Sequence, residues 1–171
     1  MRLPSLPARL IRGLRARLAR GGAPAPAPHL ALGVRGEELA ADLLLGMGYR
    51  LVAANFKAPV GRNLRGAVVS AEIDIIAYDG ETLCFVEVKT RASDDFARPE
   101  RNVDLRKQRQ VTRAARAYRR LMGVAEAPHR YDVVSVLLPP PGRDTKAPAP
   151  RLELLRGFWT DGRFRKRRWA D

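Results

Sequence analysis

Asp74, Glu87 and Lys89, near the middle of the chain, are the residues whose types and spacing could do chemistry. They lie in two β-rich runs, 68–78 and 83–89, which a turn-forming Asp-Gly-Glu-Thr sequence separates as in a hairpin. Alternate residues of a strand share a face, so a turn with an even number of residues places all three side chains on one side. A turn with an odd number would separate them.

The length of the turn decides which carboxylates oppose each other. A two-residue turn is expected to set Glu72 across from Glu87, and a four-residue turn to set Asp74 across from Glu87. Ile76 shares the face of Asp74, so that face is partly apolar. The other face of the first strand is predicted to carry Ile73, Ile75 and Ala77.

Carboxylates that face each other need a counter-charge. Their repulsion costs ~0.2–1 kcal/mol even at exposed cross-strand pairs, and burial increases the cost. A Mg²⁺ or Mn²⁺ ion held by both carboxylates would remove this cost, because such ions prefer oxygen ligands. Lys89 could then orient or deprotonate an attacking water, or neutralise charge on a phosphate. The alternative is a plain salt bridge from Lys89 to Glu72 or Glu87.

Composition and charge favour a polyanionic partner. The chain of 171 residues suits one domain, and 46% hydrophobic residues suffice for a core. Its 32 Lys and Arg outnumber 18 Asp and Glu, for a formal net charge of +14. Such a field attracts nucleic acid first and an anionic membrane surface second. A general arginine excess in the genome is the alternative source of this charge.

The scarcity of cysteine and histidine excludes several kinds of site. Cys84 is the only cysteine, which excludes a disulfide framework and a thiolate zinc cluster. His29 and His129 lie far apart in the sequence, which argues against a histidine metal site or a Ser-His-Asp triad. No apolar run is long enough to cross a membrane, and no secretory signal is recognisable. The expected compartment is the reducing cytoplasm.

Three segments are expected along the chain. They are a basic extension with a Pro/Ala linker over 1–28, a folded domain over 29–160 and a basic tail over 161–171. Within residues 1–20, leucines fall on one helical face and arginines on the other, a pattern typical of helices that lie on anionic lipid or grip phosphate. The alternative for the extension is a disordered segment.

Periodicity and turn residues predict the order α-β-β-β-α-β-β, an α/β fold with a mixed β-sheet flanked by helices. The predicted helices cover 34–47, ending at Gly48, and 105–122, capped by Asp104. The predicted strands cover 51–56, 68–78, 83–89, 131–138 and 152–155, and the predicted loops 57–67, 90–102 and 139–150.

The second helix is strongly amphipathic. One face is predicted to be buried, formed by Leu105, Gln108, Val111, Ala115 and Tyr118. The other face is basic, formed by Arg106, Lys107, Arg109, Arg113, Arg116, Arg119 and Arg120. Further candidates for phosphate contacts are Arg62, Arg65, Arg91, Arg98 and Arg101, with the cations and aromatics of 164–169 suited to unpaired bases.

Several ordered motifs resemble those of the YraN-like bacterial proteins, a family similar to archaeal Holliday-junction resolvases in the restriction-endonuclease-like superfamily. The motifs are GVRGE at 33–37, GY at 48–49, NF at 55–56, EIDIIA at 72–77, FVEVKTR at 85–91 and YDVV at 131–134. The resemblance covers residues 32–159. The chain departs from the family pattern at Ala71, where glycine is usual, and in a longer stretch at 57–70.

This resemblance implies a restriction-endonuclease-like core and a metal-dependent DNA endonuclease, active on branched or otherwise structured DNA. Asp74 and Glu87 would hold Mg²⁺ or Mn²⁺, with Glu37 completing the acidic set and the Val88 carbonyl as an extra ligand. Lys89 would be the catalytic lysine. The resemblance also implies a homodimer.

A polar position on the second helix also follows from the resemblance. Gln108 matches a place where related nucleases set a polar residue near the metal, and an ordinary buried amide is the alternative. Two other functions stay open. One is a non-catalytic nucleic-acid-binding protein that kept the nuclease fold, and the other is an adaptor held on a membrane surface by residues 1–20.

Overall fold

Five strands form one sheet in the order β1-β2-β3-β4-β5, and a helix covers each face. The computed structural model describes residues 28–92, 103–139 and 148–164. The predictions for the N-terminal extension, for Arg98 and Arg101, and for the tail from residue 165 lie outside the described residues. The elements are α1 (Pro28–Gly46), β1 (Arg50–Arg62), β2 (Val68–Asp79), β3 (Thr82–Arg91), α2 (Leu105–Leu121), β4 (His129–Leu137), β5 (Arg151–Trp159) and a 3₁₀ turn (Asp161–Phe164).

The connection between β3 and β4 makes the sheet mixed. These two strands are parallel, and α2 forms the crossover between them, whereas the other neighbours pair antiparallel. β3 is buried continuously from Leu83 to Val88 because helices cover both of its faces. The predicted α/β fold with a mixed sheet flanked by helices is confirmed, in agreement with a restriction-endonuclease-like core. Neither helix of the described residues has the length and apolarity that crossing a membrane would need.

Two clusters of buried residues lie on opposite sides of the sheet. On the α2 side, Phe85, Tyr131 and Trp159 stack in sequence across β3, β4 and β5. On the α1 side, Leu44 packs with Val86 and other aliphatic residues of the sheet. The faces of β3 alternate as predicted. Ile73 was predicted to lie on the face opposite to that of Ile76, but both side chains belong to the α2-side cluster, so this prediction is wrong.

The helix ends follow local sequence signals. The Asp104 carboxylate caps α2 by accepting the Lys107 backbone N–H at 2.7 Å, as predicted. After α1, Gly48 adopts a φ of +85°, a conformation that glycine tolerates at a helix end. Leu105, the first residue of α2, is 48% exposed, so its predicted burial is wrong.

The strands are longer than predicted. The loop predicted over 57–67 is wrong for its first half, since β1 continues to Arg62. Pro59 is tolerated there because β1 is an edge strand, where a proline needs no partner for its missing N–H, and a bulge follows between Pro59 and Gly61. β5 likewise extends from Arg151 to Trp159.

The β2–β3 hairpin closes through a two-residue turn, Gly80 and Glu81, and its register places the carboxylates. Asp79 pairs with Thr82, and the pairing continues to Ile75 opposite Val86. One further step sets Asp74 opposite Glu87. The prediction that a two-residue turn would pair Glu72 with Glu87 is wrong, because Asp74 and Glu87 lie equally far from the paired residues that close the turn.

Candidate functional site

Asp74 and Glu87 face each other where the β2–β3 pairing ends. Among the described residues, backbone pairing of these strands stops at Ile75 and Val86. Beyond that point, the Asp74 carboxylate takes the place of a backbone acceptor: its Oδ2 accepts the Val88 N–H at 2.7 Å. Asp74 is thereby fixed against β3 by a charge-assisted hydrogen bond.

Glu87 is almost fully buried and is held by two lysines. Its side chain is 1% exposed. Lys89 Nζ lies 2.8 Å from Oε1, and Lys107 Nζ lies 3.1 Å from Oε2. The same Lys107 ammonium is 3.9 Å from Asp74 Oδ1, so it spans both carboxylates. We call Asp74, Glu87, Lys89 and Lys107 the carboxylate centre.

The electrostatics of the carboxylate centre oppose full ionisation. Burial, followed by the charge of Glu87, raises the pKa of Asp74 to about 7, although Lys107 and the Val88 N–H act in the other direction. Burial alone would lower the pKa of Lys107, but Asp74 and Glu87 outweigh it and the pKa is raised. The lysine is therefore charged, while Asp74 exchanges its proton near neutral pH.

Two buried acceptors at or beside this site lack a hydrogen bond among the described residues. Glu87 Oε2 has the Lys107 ammonium within ion-pair distance, but not in hydrogen-bond geometry. Gln108 is 4% exposed; its Nε2 donates to the Val103 carbonyl at 2.8 Å, which leaves Oε1 without a partner. Gln108 Oε1 is the acceptor left unpaired, at a cost of about 1–3 kcal/mol, whereas Glu87 Oε2 is already ion-paired with Lys107.

Glu37 approaches the site from α1. Its Oε2 accepts a hydrogen bond from Asn55 Nδ2 at 3.2 Å, and its charge contributes to the raised pKa of Asp74. Asn55 lies opposite Asp74 in the β1–β2 register and has a φ of +54°, a conformation in which asparagine is enriched. Gly36 allows this approach, since a Cβ there would lie 1.8 Å from Thr90 Oγ1 on β3.

The structure thus brings Asp74, Glu87 and Lys89 together on one side of the hairpin, as the alternation predicts. Val88 contributes its N–H, and the use of its carbonyl as a metal ligand stays a prediction. In residues 28–92, 103–139 and 148–164, no three His, Cys, Asp or Glu side chains converge into a metal-binding group. A three-carboxylate metal set that includes Glu37 therefore also stays a prediction.

Lys107 and Asn55 were not predicted as site residues. Lys107 was placed on the basic outer face of α2, yet its side chain turns back to the carboxylates. The sequence carries only a weak signal for it, since the helix dipole disfavours a cation in the first turn of a helix, yet Arg106 in that same turn is exposed. Asn55 was part of a family motif, but its type and position alone did not indicate a role.

The basic face of α2 is less uniform than predicted. Besides Lys107, Arg116 pairs with Asp161 at 3.1 Å, and Arg119 lies 3.1 Å from His129 Nε2. The arginines of α2 that remain exposed are Arg106, Arg109, Arg113 and Arg120. The face available to a polyanion is therefore made of these four residues.

A second concavity, of about 520 Å³, lies at the other end of α2, lined in part by Arg119, His129 and Trp159. Its charged groups bind one another: the Tyr131 hydroxyl donates to Asp161, which also pairs with Arg116. Arg119 Nε has no hydrogen-bond partner among the described residues, but the acid here is already bound by an arginine and a tyrosine. The carboxylate centre, which combines two facing acids with two lysines, is therefore the better candidate for chemistry.

Comparison with known proteins identifies the family. A family model described as uncharacterised protein family UPF0102 matches residues 36–136. The chain belongs to this family. The matched segment runs from the glycine that precedes Glu37 into β4, so every residue of the carboxylate centre lies within the UPF0102 region. The resemblance to YraN-like proteins is thereby confirmed at the level of the family.

Curated UPF0102 proteins share much of this chain. A relative from Chlorobium limicola is 44% identical over 110 residues, covering 64% of this chain and 77% of its own. A relative from Chlorobaculum tepidum is 44% identical over 106 residues, which cover 62% of this chain and 74% of the relative. A relative from Geobacter sulfurreducens is 39% identical over 122 residues, which cover 71% of this chain and 83% of the relative. Each is named only as a UPF0102 protein, and these names state the family but no activity.

Proposed function

We propose that this UPF0102 protein is a metal-dependent nuclease that hydrolyses phosphodiester bonds in DNA. The observation that carries the proposal is the buried Glu87 opposite Asp74, with Lys89 beside it on the same face. A protein that only bound nucleic acid would have no use for two buried carboxylates, which repel phosphate. Hydrolysis uses both the carboxylates and the lysine.

A divalent cation fits the residues present. Asp74 and Glu87 supply hard oxygen ligands, Glu87 Oε2 lacks a hydrogen bond, and an ammonium already lies between the two carboxylates. Asp74 and Glu87 would hold the ion, with Glu37 and the Val88 carbonyl as further candidates. When bound, Mg²⁺ or Mn²⁺ lowers the pKa of a coordinated water and offsets charge on a phosphoryl oxygen.

The side chains around the ion would position the reactants. Glu87 Oε1 holds the Lys89 ammonium 2.8 Å away, which fixes the direction of the side chain. Lys89 is 30% exposed, so a phosphate can approach its ammonium. The lysine would neutralise charge that develops on the phosphate and orient the attacking water. The Val88 N–H would keep Asp74 in place as its proton leaves.

The charge of the chain supports a polyanionic substrate. The formal net charge is +14, and α2, which supplies Lys107 to the centre, carries four exposed arginines on its outer side. Contacts from such residues to backbone phosphates give affinity that depends on salt and little on sequence. The resemblance to junction resolvases favours branched DNA and a homodimer that cuts two strands.

Incubation of the purified protein with linear, flapped and four-way-junction DNA in Mg²⁺ or Mn²⁺ tests this proposal. We expect metal-dependent strand cleavage that falls at least about 100-fold in Glu87→Ala, Asp74→Ala and Lys89→Ala, while DNA binding is retained. Lys57→Met, which removes an exposed lysine paired with Glu72, should cleave as the wild type does. Binding without cleavage on every substrate would instead support a non-catalytic nucleic-acid-binding protein.

A further inference from the structure

Lys107 occupies the position between the two carboxylates where a bound cation would be expected. Its Nζ lies 3.1 Å from Glu87 Oε2 and 3.9 Å from Asp74 Oδ1, whereas Lys89 contacts Glu87 through Oε1. The two lysines therefore differ in role. Lys89 binds one edge of Glu87, and Lys107 bridges both carboxylates through the oxygens that face each other.

The location of Lys107 is unfavourable except for this contact. It lies in the first turn of α2, where the helix dipole disfavours a cation, and the Asp104 cap already binds its backbone N–H. Its side chain is only 29% exposed, although neighbouring Arg106 and Arg109 point to solvent. The ammonium is therefore held in place by Asp74 and Glu87.

We infer that Lys107 is a built-in counter-ion that holds Asp74 and Glu87 together in the metal-free protein and must be displaced when a divalent cation binds. This inference rests on the proposed metal-dependent function. A divalent cation that bridged Asp74 Oδ1 and Glu87 Oε2 would lie close to where the Lys107 ammonium now sits, so the two positive charges repel and compete for this position. A displaced Lys107 would stay at the start of α2, close to Arg106 and Arg109, where a backbone phosphate can bind it.

Competition of this kind couples metal binding to substrate binding. A phosphate that binds the Lys107 ammonium would remove the competitor from the carboxylates, and the metal would bind more tightly in the presence of DNA. By linkage, the metal would strengthen DNA binding by the same factor. The metal would consequently be held weakly until an anionic substrate is present.

Calorimetric titration of Mn²⁺ into the wild type, Lys107→Met and Lys57→Met tests the competition without an activity assay. Methionine keeps the length of the lysine stem and removes its charge. We expect Lys107→Met to lower the Kd for Mn²⁺ by at least about tenfold. Lys57→Met should match the wild type, because the exposed Lys57 forms its ion pair with the half-buried Glu72 and not with Asp74 or Glu87.

A second measurement needs only the wild type, in case Lys107→Met does not fold. Acetylation of lysines read by mass spectrometry should show Lys107 protected in metal-free protein and labelled at least about threefold faster in saturating Mn²⁺, with Lys57 unchanged. Equal Mn²⁺ affinity in Lys107→Met and wild type, or unchanged labelling of a metal-bound wild type, would overturn the inference and leave the metal site standing. No Mn²⁺ binding by either protein would overturn the proposed metal-dependent function, and this inference with it.

Discussion

Two buried carboxylates of the same sheet, Glu87 and Asp132, are paired in opposite ways. Asp132 is 0% exposed and lies in an arginine network formed by Tyr49, Asp79, Arg130, Asp132 and Arg156. Both of its oxygens accept Arg130 Nε at 3.0 Å, and Oδ1 also accepts the Gly157 N–H at 2.8 Å. Glu87, at 1% exposed, has two lysines and an oxygen without a hydrogen bond.

The two buried acids differ in the type of cation that pairs with them, an arginine for Asp132 and two lysines for Glu87. Arg130 is a planar donor that also binds Tyr49 and Asp79, both at 2.6 Å, so its hydrogen-bond geometry is fixed. Lysine ammonium groups are compact charges on flexible stems that can move away. The arginine network binds its acids through a fixed fork of donors, whereas the carboxylate centre pairs its acids with flexible lysines, as the proposed exchange for a divalent cation requires.

The same contrast appears in the acids at the edge of each group. A hydrogen bond from Arg130 keeps the pKa of Asp79 below its ordinary value. Burial raises the pKa of Asp74 instead. The arginine network stabilises its charged acids, whereas the carboxylate centre retains repulsion between Asp74 and Glu87 that a divalent cation would relieve.

The largest effect is expected where the arginine network is broken. Arg130→Met leaves the buried Asp132 without the cation that pairs with it, so the free energy of unfolding should fall by about 3–5 kcal/mol in urea denaturation. Glu87→Gln should cost less than about 1 kcal/mol, because it removes one of two repelling acids. Equal losses in both variants would contradict the division into a structural and a functional group.

The second effect depends on pH. Burial raises the pKa of Asp74 to about 7 from an ordinary value of 3.8, so between these values the folded protein holds a proton that the unfolded chain has released. The free energy of unfolding contributed by this group therefore falls as the pH rises from about 4 to about 7. Asp74→Asn, which imitates the neutral acid, should be more stable than the wild type by about 2–4 kcal/mol at pH 8.

Urea denaturation at two pH values checks this prediction. At pH 3.5 the advantage of Asp74→Asn should vanish, because Asp74 is protonated in the folded wild type as well. Asp42→Asn, at an exposed position of α1, is the control. A stability difference that is the same at both pH values would show that Asp74 is not protonated near neutrality.

A third effect concerns the approach of α1 to the carboxylate centre. A Cβ at Gly36 would lie 1.8 Å from Thr90 Oγ1 and 2.8 Å from Thr90 Cβ, so Gly36→Ala should lower the thermal stability by about 1–3 kcal/mol. Gly33→Ala meets no atom within 4 Å and should be neutral or stabilising, since alanine favours the helix. A tolerated Gly36→Ala would mean that α1 does not need this close contact.

The smallest effect is expected at the ion pair between the exposed Lys57 and the half-buried Glu72, 3.3 Å apart. Lys57→Met should change the free energy of unfolding by about 0–1 kcal/mol, as is usual for solvated ion pairs. A much larger loss, measured in the same urea assay, would indicate that charge at this edge of the sheet supports the carboxylate centre.

Alternation within strands was enough to predict that Asp74, Glu87 and Lys89 share a face, because a side-chain period of two is fixed by backbone geometry. The cap at Asp104 was equally predictable from local hydrogen bonding. The register was left open between two pairings of Glu87, with Glu72 or with Asp74, because the sequence alone did not identify the paired residues that close the turn. β1 was cut short because Pro59 and Gly61 are typical of loops, and only the edge position permits them in a strand.

The contact of Lys107 with the two carboxylates was not predicted, for a different physical reason. A helical wheel assigns a residue to a face by its Cα, but a lysine stem is long enough to bring its ammonium round to buried acids. Asn55 was missed because its positive φ and its bond to Glu37 depend on the packing of α1 against the sheet. Such long-range contacts are visible only in the folded chain.

Anomalous diffraction from crystals soaked in Mn²⁺ tests most directly whether the Asp74–Glu87 pair is built to hold a cation. We expect a manganese peak bound by both carboxylates, with the Lys107 ammonium moved away from them. The absence of a peak at these residues at saturating Mn²⁺, or manganese bound only elsewhere with Lys107 still bridging Asp74 and Glu87, would contradict it.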